Sequence, residues 1–213
     1  KYSLMIHGGA GMNNNTEEYS PSLMVILAAG KKMLTSGSPA VDVVEYCVSM
    51  LEDDPLYNAG RGSVLNDKGK IEMDASIMDG QNLLAGAVAA VYGIKNPVRL
   101  ARAVMDKSRN VMLIADGAME FARENNISTM PNEYFLTEER RLQWKKAVEE
   151  NTVALDHNSP QNKNKKLGTV GAVVMDVFGN LAAATSTGGL VNKKYGRVGD
   201  TPIVGAGVYA DNE

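Results

Sequence analysis

Two threonines in the last quarter of the chain are spaced so that they could do chemistry together. Residues 169–176 and 180–187 both read as strands, and Val177-Phe178-Gly179 lies between them. A three-residue hairpin loop with glycine in the left-handed position fits that spacing. It sets Asp176 opposite Asn180, so counting back along both strands sets Thr169 opposite Thr187. Opposite residues share a face of the sheet, with Cβ atoms ~5 Å apart. Two hydroxyls therefore meet at the open end of a hairpin, one of them directly after a polar segment. An ordinary strand ladder of two threonines fits the same spacing.

A threonine hydroxyl is a poor nucleophile and needs a base. The chain holds two histidines, His7 and His157, and no G-x-S-x-G elbow, so no Ser-His-Asp set stands out. A cut before Thr169 would create a base that the sequence does not spell. The freed α-amine has a reference pKa of ~7.7–8.0, which suits a general base near neutral pH. Gly168 would let the preceding carbonyl approach the Thr169 hydroxyl. Further on, Gly196-Arg197-Val198-Gly199-Asp200 offers a planar fork for a carboxylate and an acceptor for an ammonium. Together these would hold the two charged groups of an α-amino acid. A surface ion pair in a turn is the plainer reading of the same two residues.

Other candidates carry less. His7 precedes a glycine pair at a strand end, where a structural role is expected. The run Gly8-Gly9-Ala10-Gly11 lacks both the G-x-G-x-x-G spacing and a G-K-[ST] ending, so it does not read as a phosphate loop. Cys47 falls on a helix and should pack. Asp74 and Asp79 are expected to support the sheet core or a turn. Lys163, Lys165 and Lys166 read as a solvated loop.

The elements that must position these groups are legible in outline. Residues 2–6 form a short buried strand. A helix begins near Pro21 and runs to about Gly37. A second begins with Ser38 as N-cap and Pro39 at the first helical position, with Val41, Val44, Val48 and Leu51 as its apolar face. A dense loop follows to Gly62, then strands over 71–78 and 84–92. Asn96-Pro97 opens another helix. A strand over 111–115 and helices over 117–125 and 137–150 complete the N-terminal part. Residues 156–166 are polar and lack apolar periodicity, so a mobile surface segment is expected there. Strand pairs mixed with helices suggest a layered α+β or αββα protein.

Composition sets limits. The 213 residues suffice for one domain, and 44% hydrophobic with 22% charged residues is ordinary for a globular protein. A net charge of −3 gives no electrostatic case for nucleic acid or an anionic membrane. One cysteine excludes an intrachain disulfide and points to a reducing, cytoplasmic home. No apolar run approaches the ~20 residues of a membrane span, and no signal-peptide pattern is present.

The motifs taken together resemble the plant-type asparaginase and isoaspartyl peptidase family of N-terminal nucleophile hydrolases. They are His7-Gly8-Gly9-Ala10-Gly11, Asn58-Ala59-Gly60-Arg61-Gly62, Met73-Asp74-Ala75-Ser76-Ile77-Met78-Asp79-Gly80 and Gly168-Thr169-Val170-Gly171-Ala172. Thr185-Ser186-Thr187-Gly188-Gly189, Gly196-Arg197-Val198-Gly199-Asp200 and Gly205-Ala206-Gly207-Val208-Tyr209-Ala210-Asp211-Asn212 continue them in order. The resemblance implies a four-layer αββα sandwich and self-cleavage between Gly168 and Thr169. It divides the single domain, 1–213, into an α portion over 1–168 and the start of a β portion from 169.

It also implies Thr169 as nucleophile, Thr187 as its hydrogen-bonding neighbour, and Arg197, Val198, Gly199 and Asp200 as the substrate-binding segment. The substrates would be L-asparagine and β-aspartyl dipeptides. No cofactor is implied for the chemistry. A structural sodium ion is implied, held by the carbonyls of Leu51, Glu52, Asp54, Tyr57, Ala59 and Arg61; oxygen-only ligands suit a hard cation. Self-association as a homodimer, (αβ)2 after cleavage, is a further implication, with no nucleic acid or membrane partner. The family's oxyanion donor would lie beyond Glu213, so the chain reads as C-terminally incomplete. Glycosylasparaginase, a Taspase-like threonine protease and a catalytically silent truncated homologue stand as alternatives. Glycosylasparaginases usually carry an aspartate where Gly168 stands, and Taspases a longer insertion before the nucleophile.

Overall fold

The computed structural model describes residues 1–9, 16–153 and 168–213. The polar stretch 156–166 and the end of the glycine-rich motif after Gly9 lie outside the described residues. Six strands form one mixed sheet: β1 (Ser3–His7), β2 (Met73–Asp79), β3 (Leu84–Val91), β4 (Met112–Ile114), β5 (Val170–Met175) and β6 (Leu181–Thr187). Their order is β1-β5-β6-β2-β3-β4. All neighbours are antiparallel except β3 and β4, which run parallel. The helices are α1 (Thr16–Thr35), α2 (Ala40–Asp53), α3 (Pro97–Lys107), α4 (Ala115–Glu124), α5 (Asn132–Phe135) and α6 (Glu138–Glu149). The protein is thus α+β, as the mixture of patterns suggests.

The two faces of the sheet differ because side chains alternate along each strand. Met73, Ala75 and Ile77 of β2, Ala172 and Val174 of β5, and Ala182 and Ala184 of β6 join the main core. That core also takes Val44, Cys47, Val48 and Leu51 from α2 and Leu100, Ala101 and Val104 from α3. The opposite face buries a smaller cluster, Met78 and Ala183 against Val208 and Ala210. Toward its β1–β5 edge this face leaves Met5 69% and Val173 50% exposed. Thr169 falls in step with Gly171 and Val173, so it belongs to this second face.

Local signals placed the helices better than their ends. Helix α1 begins at Thr16, and Pro21 lies inside it. Proline removes one intrahelical donor, yet the helix begins a turn earlier than the proline suggests. Helix α2 begins after Pro39 without any cap from Ser38. Its first amide, Ala40 N–H, donates instead to Asp176 Oδ2 at 3.1 Å, from the far hairpin. Asn96 precedes α3 without capping it. Its amide donates to Ser49 O and Asp53 Oδ1, tying α3 to α2. Thr137 does cap α6, accepting from Arg140 N–H at 3.2 Å.

Candidate active site

The β5–β6 hairpin has the register that its loop length requires, with Val170 opposite Ser186 and Met175 opposite Leu181. Gly179 takes φ +90°, the left-handed position that such a loop needs. Asp176 locks the turn: its Oδ1 accepts from Phe178 N–H at 2.9 Å and Asn180 N–H at 3.0 Å. The ladder begins at Val170, so Thr169 lies one residue outside it, directly after Gly168.

The hydroxyl of Thr169 lies 2.7 Å from the hydroxyl of Thr201. Thr187, at the end of β6, is opposite Asp74 on β2. Its Oγ1 accepts from Gly189 N–H at 3.0 Å. The hairpin register and the family resemblance make Thr187 the expected hydroxyl neighbour of Thr169; in the structure that contact belongs to Thr201. The difference arises where the ladder stops, because a residue past the last pair is free to turn toward another segment.

Thr201 is fixed from behind. Its carbonyl accepts from Ser76 Oγ at 2.6 Å and from Thr185 Oγ1 at 3.1 Å. Those two hydroxyls are themselves 2.9 Å apart. Thr201 follows Asp200 directly, so the contact carries the Arg197-Val198-Gly199-Asp200 segment to the nucleophile candidate. Within that segment the Arg197 guanidinium lies over Gly199, where an added Cβ would be 3.3 Å from it. Asp200 is exposed to solvent.

Two buried residues, Asn58 of the Asn58–Gly62 motif and Lys193, brace this region. Asn58 donates from Nδ2 to Gly189 O at 2.7 Å, and its own carbonyl accepts from Gly188 N–H at 2.9 Å. It thereby ties the glycine turn after Thr187 to the loop following α2. Lys193 is 1% exposed, and its ammonium donates to Glu72 O at 3.3 Å. Burial pulls its pKa down, while Asp74 and Glu72 hold the charge in place. Asp74 accepts from Ala90 N–H at 2.8 Å, and burial raises its carboxyl against the pull of Lys193. Asp79 accepts from Gln81 N–H and Asn82 Nδ2, a turn role. Neither aspartate forms an acid pair. His7 lies opposite Gly171 at the end of β1. Cys47 is buried, and its thiol is pushed up to about 11, which disqualifies it as a nucleophile.

Among the described residues no group of three or more His, Cys, Asp or Glu side chains could hold a metal. The loop after α2 offers backbone oxygens instead. The Leu51 carbonyl would meet the amide of residue 55 in a continuing helix, but Pro55 has none. The chain doubles back so that Arg61 N–H reaches Glu52 O at 2.7 Å. Gly60 at φ +51° passes over that carbonyl, and Gly62 at φ +91° passes beside Tyr57 O. The Asp54 carboxylate accepts from Ser22 Oγ at 2.6 Å and Leu56 N–H at 3.0 Å, and its carbonyl accepts from Tyr57 N–H at 3.3 Å. Arg140 Nε holds the far end of the loop through Gly62 O at 2.6 Å. Leu51, Glu52, Asp54, Tyr57, Ala59 and Arg61 all lie on this doubled loop, and backbone oxygens are the ligand type that suits a hard cation.

The structure thus sets a threonine hydroxyl at the entrance of β5, next to the segment that bears Arg197 and Asp200. A family model described as "Asparaginase" matches residues 1–213. The isoaspartyl peptidase/L-asparaginase of Danio rerio is 48% identical over 212 residues, covering 99% of this chain and 67% of the relative. That of Bos taurus is 49% identical, covering 99% and 68%. The isoaspartyl peptidase of Escherichia coli strain K12 is 46% identical over 220 residues, covering 100% and 68%. The chain belongs to the asparaginase family, and it spans about two thirds of the length of these relatives. No helix among the described residues is long and apolar enough to cross a membrane.

Proposed function

We propose that the protein is an isoaspartyl peptidase and L-asparaginase that activates itself by cutting between Gly168 and Thr169. The observation that carries this reading is the Thr169 hydroxyl at the entrance of β5, in contact with the segment that bears Arg197 and Asp200. The names of the relatives supply the substrates. In the uncut chain Thr169 Oγ attacks the Gly168 carbonyl carbon. The C–N bond breaks, the proton passes to nitrogen, and water opens the resulting ester. The freed amine, with a reference pKa of ~7.7–8.0, then serves as base.

In turnover the same hydroxyl attacks the side-chain amide carbonyl of asparagine or a β-aspartyl peptide. The amine takes the hydroxyl proton and passes it to departing ammonia or the departing peptide amine. Water resolves the β-aspartyl ester. Arg197 pairs with the substrate α-carboxylate and Asp200 with its α-ammonium, while Val198 and Gly199 shape the turn between them. Thr187, locked by Gly189 N–H, fixes the floor beside the nucleophile. The carbonyls of Leu51, Glu52, Asp54, Tyr57, Ala59 and Arg61 would hold a sodium ion, which would take no part in proton transfer and would stiffen the loop from which Asn58 reaches Gly189. We also place the sheet within a four-layer αββα sandwich, because Met5 and Val173 form an apolar surface that a second sheet would cover. A full-chain structure with that face open to solvent would refute this placement.

The test is Thr169→Ala in the full chain. It should stay a single polypeptide on denaturing gels and release no ammonia from asparagine. Arg197→Lys should still self-cleave but need a much higher substrate concentration, because a point charge replaces the bidentate fork. An uncut Thr169→Ala protein with wild-type turnover would sink the mechanism.

A further inference from the structure

The contact between Thr169 and Thr201 has a chemical consequence that depends on whether the chain is cut. Before the cut, the nitrogen of Thr169 is an amide. Its lone pair is delocalised into the carbonyl, so it cannot accept the hydroxyl proton or hold the hydroxyl in place. After the cut, the same nitrogen is an amine that can do both. The uncut chain therefore needs another group to orient Thr169 Oγ1 toward the Gly168 carbonyl. In the structure that group is the Thr201 hydroxyl at 2.7 Å. Thr201 is 2% exposed, and Ser76 and Thr185 hold its carbonyl, so its own hydroxyl has little freedom to move. Gly207 closes the remaining side: a Cβ there would lie 2.5 Å from Thr201 Cα.

We propose that Thr201 is the positioning residue for self-cleavage, holding the Thr169 hydroxyl in the uncut chain until the liberated amine takes over that task. This rests on the reading of Gly168–Thr169 as a self-cleaving bond. In the step itself the C–O bond forms, the C–N bond breaks, and the hydroxyl proton ends on the Thr169 nitrogen. Water then adds across the ester, returning a proton to Thr169 Oγ. Thr201 gains and loses nothing; it fixes a direction and donates to the oxygen as charge develops there. Thr187 does not make this contact: its Oγ1 accepts from Gly189 N–H, and the hydroxyl within hydrogen-bond distance of Thr169 Oγ1 is that of Thr201.

The experiment follows cleavage of the full chain by intact mass from the moment of synthesis, in wild type, Thr201→Val and Thr201→Ser. The cut fraction of each is then assayed with asparagine. Thr201→Val keeps the shape but removes the hydroxyl, and should cleave about tenfold more slowly, the loss expected for one hydrogen bond to a reacting oxygen. Its kcat, once cut, should fall by a clearly smaller factor, and Thr201→Ser should restore cleavage to near the wild-type rate. Equal cleavage by wild type and Thr201→Val overturns the inference. So does a serine variant as slow as the valine one, or a kcat that falls as far as the cleavage rate. If Thr201→Val shows no cooperative melt, Thr201→Ala replaces it in the same comparison with serine. A wild type that stays uncut refutes the self-cleavage reading itself, which separates the two failures.

Discussion

Asp176 joins two distant parts of the molecule, and removing its carboxylate should be costly. The side chain is fully buried. It accepts from Phe178 N–H at 2.9 Å, Asn180 N–H at 3.0 Å and Ala40 N–H at 3.1 Å. The first two close the hairpin turn, and the third caps α2. A hydrogen bond to a charged group contributes roughly 1.5–3 kcal/mol, and the carboxylate also meets the positive end of the helix dipole. Three such bonds at the lower end give about 4 kcal/mol, allowing for the desolvation that Asp176→Ala relieves. At this chain length that corresponds to a fall in melting temperature of about 12 °C.

Asp176→Asn should lose about half as much. One oxygen can still serve the turn, but the amide then faces Ala40 N–H donor to donor. Urea unfolding and thermal melts of the three proteins measure this directly. An alanine variant within 1 kcal/mol of wild type would refute the assignment of Asp176 as a structural clasp. Self-cleavage should survive in both variants that fold, because the clasp lies at the far end of β5 from Thr169.

Glu52 is fully buried, and burial pushes its carboxyl up to about 8, so it is protonated in the folded protein at neutral pH. A carboxyl raised above its unfolded value of 4.5 stabilises fully below that value, and the contribution is lost as pH rises toward 8. Glu52→Gln cannot titrate, so its urea stability relative to wild type should gain about 3 kcal/mol between about pH 5 and about pH 7; parallel pH profiles would refute this. For the carbonyl loop, replacing sodium by choline should lower the melting temperature. At a hundredfold excess of sodium over its Kd the effect is about 2.7 kcal/mol, or roughly 8 °C, and superimposable melts in the two salts would exclude a cation there.

What could be read from the chain alone was local. The three-residue loop with Gly179 determines the hairpin register, because loop length and glycine position fix it without help from elsewhere. The stripe Val41, Val44, Val48 and Leu51 likewise announced the buried face of α2. What could not be read depends on segments far apart in sequence. No periodicity links Thr169 to Thr201, whose position is set by Ser76 and Thr185 on the neighbouring strands. Capping of α2 looked like a task for Ser38, but the acceptor comes from Asp176. Lys193 reads as a loop lysine; it is buried because Asp74 and Glu72 compensate its charge. A hydroxyl residue directly after Asp200 was the one signal that could have pointed to Thr201.

The order of the strands bears on what a cut at Gly168 would leave behind. Thr169, Thr187, Arg197, Asp200 and Thr201 all belong to the downstream piece. Yet β5 is zipped to β1 through five residue pairs, and β6 to β2 through six, both partners coming from the upstream piece. The two fragments are interleaved like fingers of clasped hands rather than stacked side by side. Neither could leave without tearing the middle of the sheet, so the severed protein should melt in one cooperative transition. Its new amino terminus would be held at the site by ladders of main-chain bonds instead of by a peptide bond.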